Sequence, residues 1–258
     1  MWLCLLVSPL VRASTVITVT TASDTVSDDG ECSIREAITA SNTDTASGAS
    51  PGECEAGSGA DTVQFDIDDG PTFTNKGQTG YKVILQSSLP VISETVTIDG
   101  YTQPGATANT AQAPAPLNGT LLVEISGETG SIASLVLDAD DITIRGLVLN
   151  RFDSAGILPG GDGIKIQGNY IGTDPTGLIR RQNNGNGVNH SPNTAGTTNL
   201  LIGGLNPEDR NIVAGSEGSG VTPNVGDGGW TVQGNYIGMG ADGETQIGNS
   251  SISGPLEP

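Results

Sequence analysis

The sequence predicts an all-β chain wound as a parallel β-helix, a solenoid of short strands with one short capping helix near its N-terminus. Three observations carry this. Gln167-Gly168-Asn169-Tyr170-Ile171-Gly172 returns unchanged as Gln233-Gly234-Asn235-Tyr236-Ile237-Gly238, 66 residues on. A looser copy, Ile142-Thr143-Ile144-Arg145-Gly146, lies 22 residues before Ile164-Lys165-Ile166-Gln167-Gly168. One unit of about 22 residues accounts for both spacings, and a fixed period of that size marks a stacked repeat. Within the copies Ile164 and Ile166 alternate with Lys165 and Gln167, the pattern of a strand with one buried face.

The corners of the unit are readable too. Gly168 and Gly234 follow the alternating run, where the lack of a Cβ permits a positive φ. Asn169 and Asn235 come next, residues suited to satisfying backbone groups at a corner. Ile164 and Ile166 are then expected to form internal ladders with their equivalents. An antiparallel sandwich carrying a chance duplication is the alternative.

Composition fits a thin, turn-rich core. Hydrophobic residues make up 35 % of the chain, and glycine accounts for 38 of 258 residues, well above the usual share of about 7 %. Each layer of a solenoid buries residues only against its neighbours, so a thin core suffices. The net charge of −19 argues against nucleic acid, which needs clustered Lys and Arg. It equally disfavours docking on an anionic membrane.

Taken in order, residues 1–13 read as the remnant of a secretory signal. The apolar run is too short to cross a bilayer, and Val11 and Ala13 supply small residues before a cut. A partly buried N-terminal strand is the alternative there. Thr15–Thr20 alternates as a strand. Ser33 and Glu36 have the reciprocal capping-box spacing, and Ile34, Ala37 and Ile38 supply the apolar face of a helix of about two turns. Cys32 and Cys54 are the cysteines left after signal removal, and in an exported chain such a pair predicts a disulfide. Strand alternation resumes at Asp61–Ile67, Val83–Leu85 and Val96–Ile98. Tyr101–Leu117, rich in Pro, Ala and Thr, reads as an external loop. Regular winding follows, and the end at Ser251–Pro258 lacks a polar cap, as expected of a truncated solenoid. No segment of the mature chain is long and apolar enough to be an integral membrane span.

At these residues a resemblance enters. Asp29-Gly30-Glu31-Cys32-Ser33-Ile34-Arg35-Glu36-Ala37-Ile38 resembles the N-terminal signature of the bacterial CSLREA domain, with Ile34 in place of leucine. Thr97-Ile98-Asp99-Gly100-Tyr101-Thr102-Gln103-Pro104-Gly105 and the Gly-Asn-Tyr-Ile-Gly coils resemble the right-handed parallel β-helix repeats that follow it. The resemblance implies a capping region over 14–95, with Ser33, Arg35 and Glu36 in its cap motif, and repeats over 96–258. It also implies a large exported bacterial protein, secreted or at the cell surface and often adhesin-like, without one defined activity. The second coil has Met239-Gly240 where the first has Thr173-Asp174, so that Thr-Asp pair has no shared role.

The chemistry-bearing residues are sparse. Polysaccharide lyases and hydrolases also use β-helices, so glycan cleavage is the rival function. An inverting hydrolase needs two separated carboxyl groups, and a polygalacturonase-like site has a Gly-His-Gly segment. The single histidine here lies in Val188-Asn189-His190-Ser191. Asp138, Asp140 and Asp141 with Arg145 and Arg151 are the candidates for a calcium-dependent lyase site, and a solvated turn is the simpler account of those acids. Gly160-Gly161-Asp162-Gly163-Ile164-Lys165 starts like a calcium nonapeptide repeat but places Lys165 at a ligand position. The reading therefore assigns no catalytic residue, no metal ligand and no cofactor, with calcium lacking a motif. It expects a structural or adhesin-like protein binding an extracellular glycan or protein. Loops 101–117 and 173–187 are the expected presenters of ligand contacts.

Overall fold

The computed structural model describes residues 14–191, 197–223 and 228–250. The expected signal remnant at 1–13 and the expected truncation at 251–258 lie outside them. The elements in order are β1 (Val16–Thr21), α1 (Ile34–Thr43), β2 (Asp61–Asp69), β3 (Thr72–Asn75), β4 (Gln78–Ile84), β5 (Val96–Asp99), β6 (Val123–Ser126), β7 (Leu135–Leu137), β8 (Thr143–Arg145), β9 (Val148–Asn150), β10 (Ile157–Pro159), β11 (Lys165–Gln167), β12 (Tyr170–Ile171), β13 (Val188–Asn189), β14 (Leu201–Gly203), β15 (Ile212–Val213), β16 (Val221–Thr222), β17 (Thr231–Gln233) and β18 (Tyr236–Ile237). They form three sheets. Sheet A runs β1-β2-β5-β8-β11-β14-β17, sheet B runs β18-β15-β12-β9-β6-β4-β3, and sheet C runs β16-β13-β10-β7. From β5 onward the chain visits A, B and C in turn, and each strand pairs in parallel with its counterpart from the previous circuit.

These facts correct the expectation of an all-β, right-handed parallel β-helix. The molecule is a mainly β fold of three mostly parallel sheets, with A and B side by side, rather than a single solenoid. A ten-residue α-helix lies between β1 and β2, and β3 pairs antiparallel with β4 at the edge of sheet B. The 22-residue period also fails. Ile144 pairs with Ile166, Ile166 with Ile202, and Ile202 with Val232, which makes steps of 22, 36 and 30 residues. The spacing of 66 between the identical segments is thus two unequal steps, with β14 and β15 between them. The extra residues sit in the connections, and connections of different length do not disturb a strand register.

The core follows from the register. In sheet A, Ile17, Val63, Ile98, Ile144, Ile166 and Ile202 stack in one row, all fully buried. In sheet B the matching row is Val83, Ile125, Leu149, Ile171 and Val213. Sheet C contributes Leu135, Ile157 and Val188. The three rows pack as one apolar cluster, where each buried Ile or Val contributes about 1.5–3 kcal/mol. The last members of the rows, Val232 and Ile237, are 41 % and 44 % exposed.

At the other end α1 closes the core with Ile34, Ala37 and Ile38. Ser33 caps it: its hydroxyl accepts from the Glu36 N–H (3.2 Å), and Glu36 accepts from the Ser33 N–H (2.9 Å). The other Glu36 oxygen accepts from the Ser27 N–H at 2.9 Å. Arg35 grips Asp24 through two nitrogens at 2.9 and 2.8 Å and donates to the carbonyls of Ser87 and Ser88. Cys32 and Cys54 form a disulfide.

The Tyr101–Leu117 segment is not the free external loop that its composition suggests. A second apolar cluster lies on the outer face of sheet B, where Val148, Tyr170 and Ile212 meet Leu117, Leu121, Ala241 and Ile247. The segment lies across this face as a strap. The Asn109 amide donates to the Pro207 carbonyl (2.8 Å), the Leu117 N–H to the Ala241 carbonyl (2.7 Å), and the Tyr236 hydroxyl to the Ala115 carbonyl (3.1 Å). Leu117 supplies the apolar contact that a Pro- and Ala-rich stretch otherwise lacks.

Candidate functional site

The corner between sheets A and B holds the Gly and Asn residues singled out in the sequence. Gly168 has φ +66°, and a Cβ there would meet the Tyr101 hydroxyl and the Glu208 carbonyl. Gly234 has φ +72°, and its Cβ would strike the Gly204 carbonyl. Only glycine suits such positions. Asn169 and Asn235 belong to a ladder of three with Asn211. Asn169 accepts from the Leu147 N–H (3.0 Å) and donates to the Ile144 carbonyl (2.8 Å). Asn211 accepts from the Asn169 N–H (2.8 Å) and donates to the Ile166 carbonyl (2.7 Å). Asn235 accepts from the Asn211 N–H (3.1 Å) and donates to the Ile202 carbonyl (2.8 Å). The side chains thus supply partners to backbone groups that the turn leaves without sheet bonds. Sequence reasoning missed Asn211, because Gly204–Arg210 separates it from the end of β14.

The acids considered for a lyase site are not assembled with both arginines. Asp140 accepts from the Asp162 N–H, and Asp162 from the Thr198 N–H, each at 2.8 Å. They tie together the connections of successive circuits. Arg145 ends β8, pairs with Asp99 at 3.1 Å and lies over the Tyr101 ring. Arg151 follows β9 at a different corner. His190 is buried just after β13. Among the described residues no group of three His, Cys, Asp or Glu side chains could hold a metal ion.

The strongest functional geometry is at the corner between sheets B and C. An open cleft of about 340 Å³ is lined there by Glu128, Arg151, Asp153, Gln182 and Asn184. Each circuit supplies one piece: Glu128 follows β6, Arg151 and Asp153 follow β9, and Gln182 and Asn184 precede β13. The next circuit adds Glu217 beside Gln182, 3.4 Å away. The side chains form a continuous polar track. Lys82 and Arg151 both bind the Glu128 carboxylate. The Asn184 amide donates to Asp153 at 2.9 Å, and the Gln182 amide donates to the Asn184 oxygen at 3.2 Å. The track joins residues at unequal separations, so no motif in the sequence announced it. Loop 173–187 does reach this site, through Gln182 and Asn184. Before that it is folded on Asp174, whose carboxylate accepts from Thr176, Leu178 and Ile179.

Partial burial pushes the Glu128 carboxyl up, but hydrogen bonding and charge from Lys82 and Arg151 outweigh it and hold the group below its ordinary value of 4.5. A depressed carboxyl contributes stability that is fully present above its unfolded value and is lost as pH falls through the folded one. Glu128→Gln is therefore expected to flatten the decline of stability below pH 4.5, read from denaturant midpoints across the acid range. An unchanged acid limb would mean that Glu128 is not one of the groups driving it.

Comparison of the chain with family models, curated proteins and solved structures finds no match.

Proposed function

We propose that the chain is an exported, surface-associated protein that binds glycan along the corner between sheets B and C. The observation that carries this is the open cleft there, with guanidinium, carboxylate and amide groups displayed on successive circuits. Planar polar groups of these types are the fixed donors and acceptors that orient a polar ligand. The Cys32–Cys54 disulfide supports export, since such bonds persist in oxidising compartments. The CSLREA-like segment at Cys32–Ile38 supports the same location and a role as surface scaffold or adhesin. No described helix is long and apolar enough to cross a membrane.

Binding is favoured over cleavage by the state of Glu128. A glycosidase acid must hold its proton near neutral pH, which requires a raised pKa, whereas this carboxyl is held low by two cations. The test is a binding panel of neutral and acidic polysaccharides with wild type and Arg151→Ala. A hydrogen bond to a charged group contributes about 1.5–3 kcal/mol, so the variant should bind the selected glycan roughly tenfold more weakly or worse. Absence of binding across the panel would overturn the glycan reading. New chain ends released by wild type but not by Arg151→Ala would replace it with cleavage.

A further inference from the structure

We propose that Lys82 and Asn150 close an intramolecular amide cross-link between β4 and β9, with Glu124 carrying the proton. The inference is independent of glycan binding and rests on four side chains of sheet B. Lys82 stands opposite Glu124 in the register of β4 with β6, and Ser126 stands opposite Asn150 in that of β6 with β9. Three neighbouring strands thus bring an amine, a carboxylate, a hydroxyl and a carboxamide to one place.

The geometry is specific. Asn150 is fully buried, and its amide nitrogen donates to Glu124 Oε1 and to the Thr173 carbonyl, each at 2.9 Å. Both neighbours of that nitrogen are acceptors, so the orientation of the amide is fixed. Its oxygen has no hydrogen-bond partner. Lys82 Nζ lies 4.0 Å from the same Glu124 oxygen. One carboxylate oxygen therefore reaches both the attacking nitrogen and the leaving one. The Ser126 hydroxyl is also buried without a partner, on the residue paired with Asn150. It is placed to donate to the Asn150 oxygen when charge develops there, the role of an oxyanion donor. Glu124 is only 5 % exposed, which limits competing water.

The step balances without a cofactor. The Lys82 ammonium gives a proton to Glu124, and the neutral amine attacks Asn150 Cγ. The tetrahedral intermediate loses its former amide nitrogen, which takes the proton back from Glu124. The Cγ–Nδ2 bond breaks and a Cγ–Nζ bond replaces it. An ammonium and a primary amide enter, and a secondary amide and an ammonium ion leave, with Glu124 returned to its starting state. To reach Cγ, Lys82 swings away from Glu128, which keeps Arg151 as its cationic partner. The product ties β4 to β9 across β6.

The test uses the full folded chain. Its intact mass should be one ammonia lower than the sequence requires, and protease digestion should yield one branched peptide joining Lys82 to Asn150. Lys82→Arg keeps the cation and Glu124→Gln keeps the shape, and both should restore full mass with two separate peptides. Loss of ammonia by ring closure at Asn184-Gly185 would give no branched peptide. Wild-type protein lacking the branched peptide overturns the proposal. Undiminished cross-linking in Glu124→Gln removes Glu124 as the proton carrier.

Discussion

Asn211→Ala is expected to be among the most damaging single substitutions in the molecule, with a loss of about 4 kcal/mol. Its oxygen accepts from the Asn169 backbone N–H and side-chain amide, and its nitrogen donates to the Ile166 carbonyl and to Asn235. Alanine would strand a backbone donor and a backbone acceptor at a buried corner, and each unmet group costs about 1–3 kcal/mol. Asn211→Asp should do no better, because it sets an acceptor against the Ile166 carbonyl and buries a charge. Asn235→Ala should cost less, since Asn235 is only partly buried. Denaturant unfolding of the three variants decides the matter. Equal losses at Asn211 and Asn235, or a loss below about 1 kcal/mol at Asn211, would mean that the ladder is not a load carried by the buried middle member.

Loss of the Cys32–Cys54 disulfide ranks second. The two cysteines are 22 residues apart, and opening a loop of that size should cost about 3 kcal/mol through the freedom returned to the unfolded chain. The bond also fixes the entry to α1, whose cap begins at Ser33. Cys32→Ser with Cys54→Ser should unfold at the same lowered denaturant concentration as reduced wild type. Adding reductant to the double variant should do nothing more. If reduction leaves the wild-type midpoint unchanged, α1 and its ion pairs hold the end of the core without the bond.

What the sequence revealed, it revealed through local rules. Alternation located the strand around Ile166, capping-box spacing located the start of α1, and an even cysteine pair located the disulfide. Trp230 was expected in the row of Ile164. The register of β17 with β14 and of β14 with β11 places Trp230, Leu200 and Ile164 one position before their paired strands, and Trp230 packs against the core. What stayed hidden depends on how circuits line up. A 36-residue step beside a 22-residue one has no period to detect. The cleft was invisible for the same reason, because Glu128, Arg151 and Gln182 meet only once the circuits stack. The strap was misread since its docking rests on a few residues, Asn109 and Leu117 above all, inside a stretch of loop-like composition.

The strap also bears on the order in which this molecule can fold. Stacked units that touch only their neighbours can form and fray one at a time. Here Asn109 reaches Pro207 and Leu117 reaches Ala241, so a segment made early must wait for partners made last. Its docking closes long stretches of chain at once, which slows folding while joining early and late circuits into one transition. Early circuits can gather apolar rows as they are laid down, but the outer face of sheet B is sealed only when β15 and the 241–247 turn have arrived. The molecule should therefore melt as a single unit, with amide exchange protection at β9 and β12 lost together with that at β15.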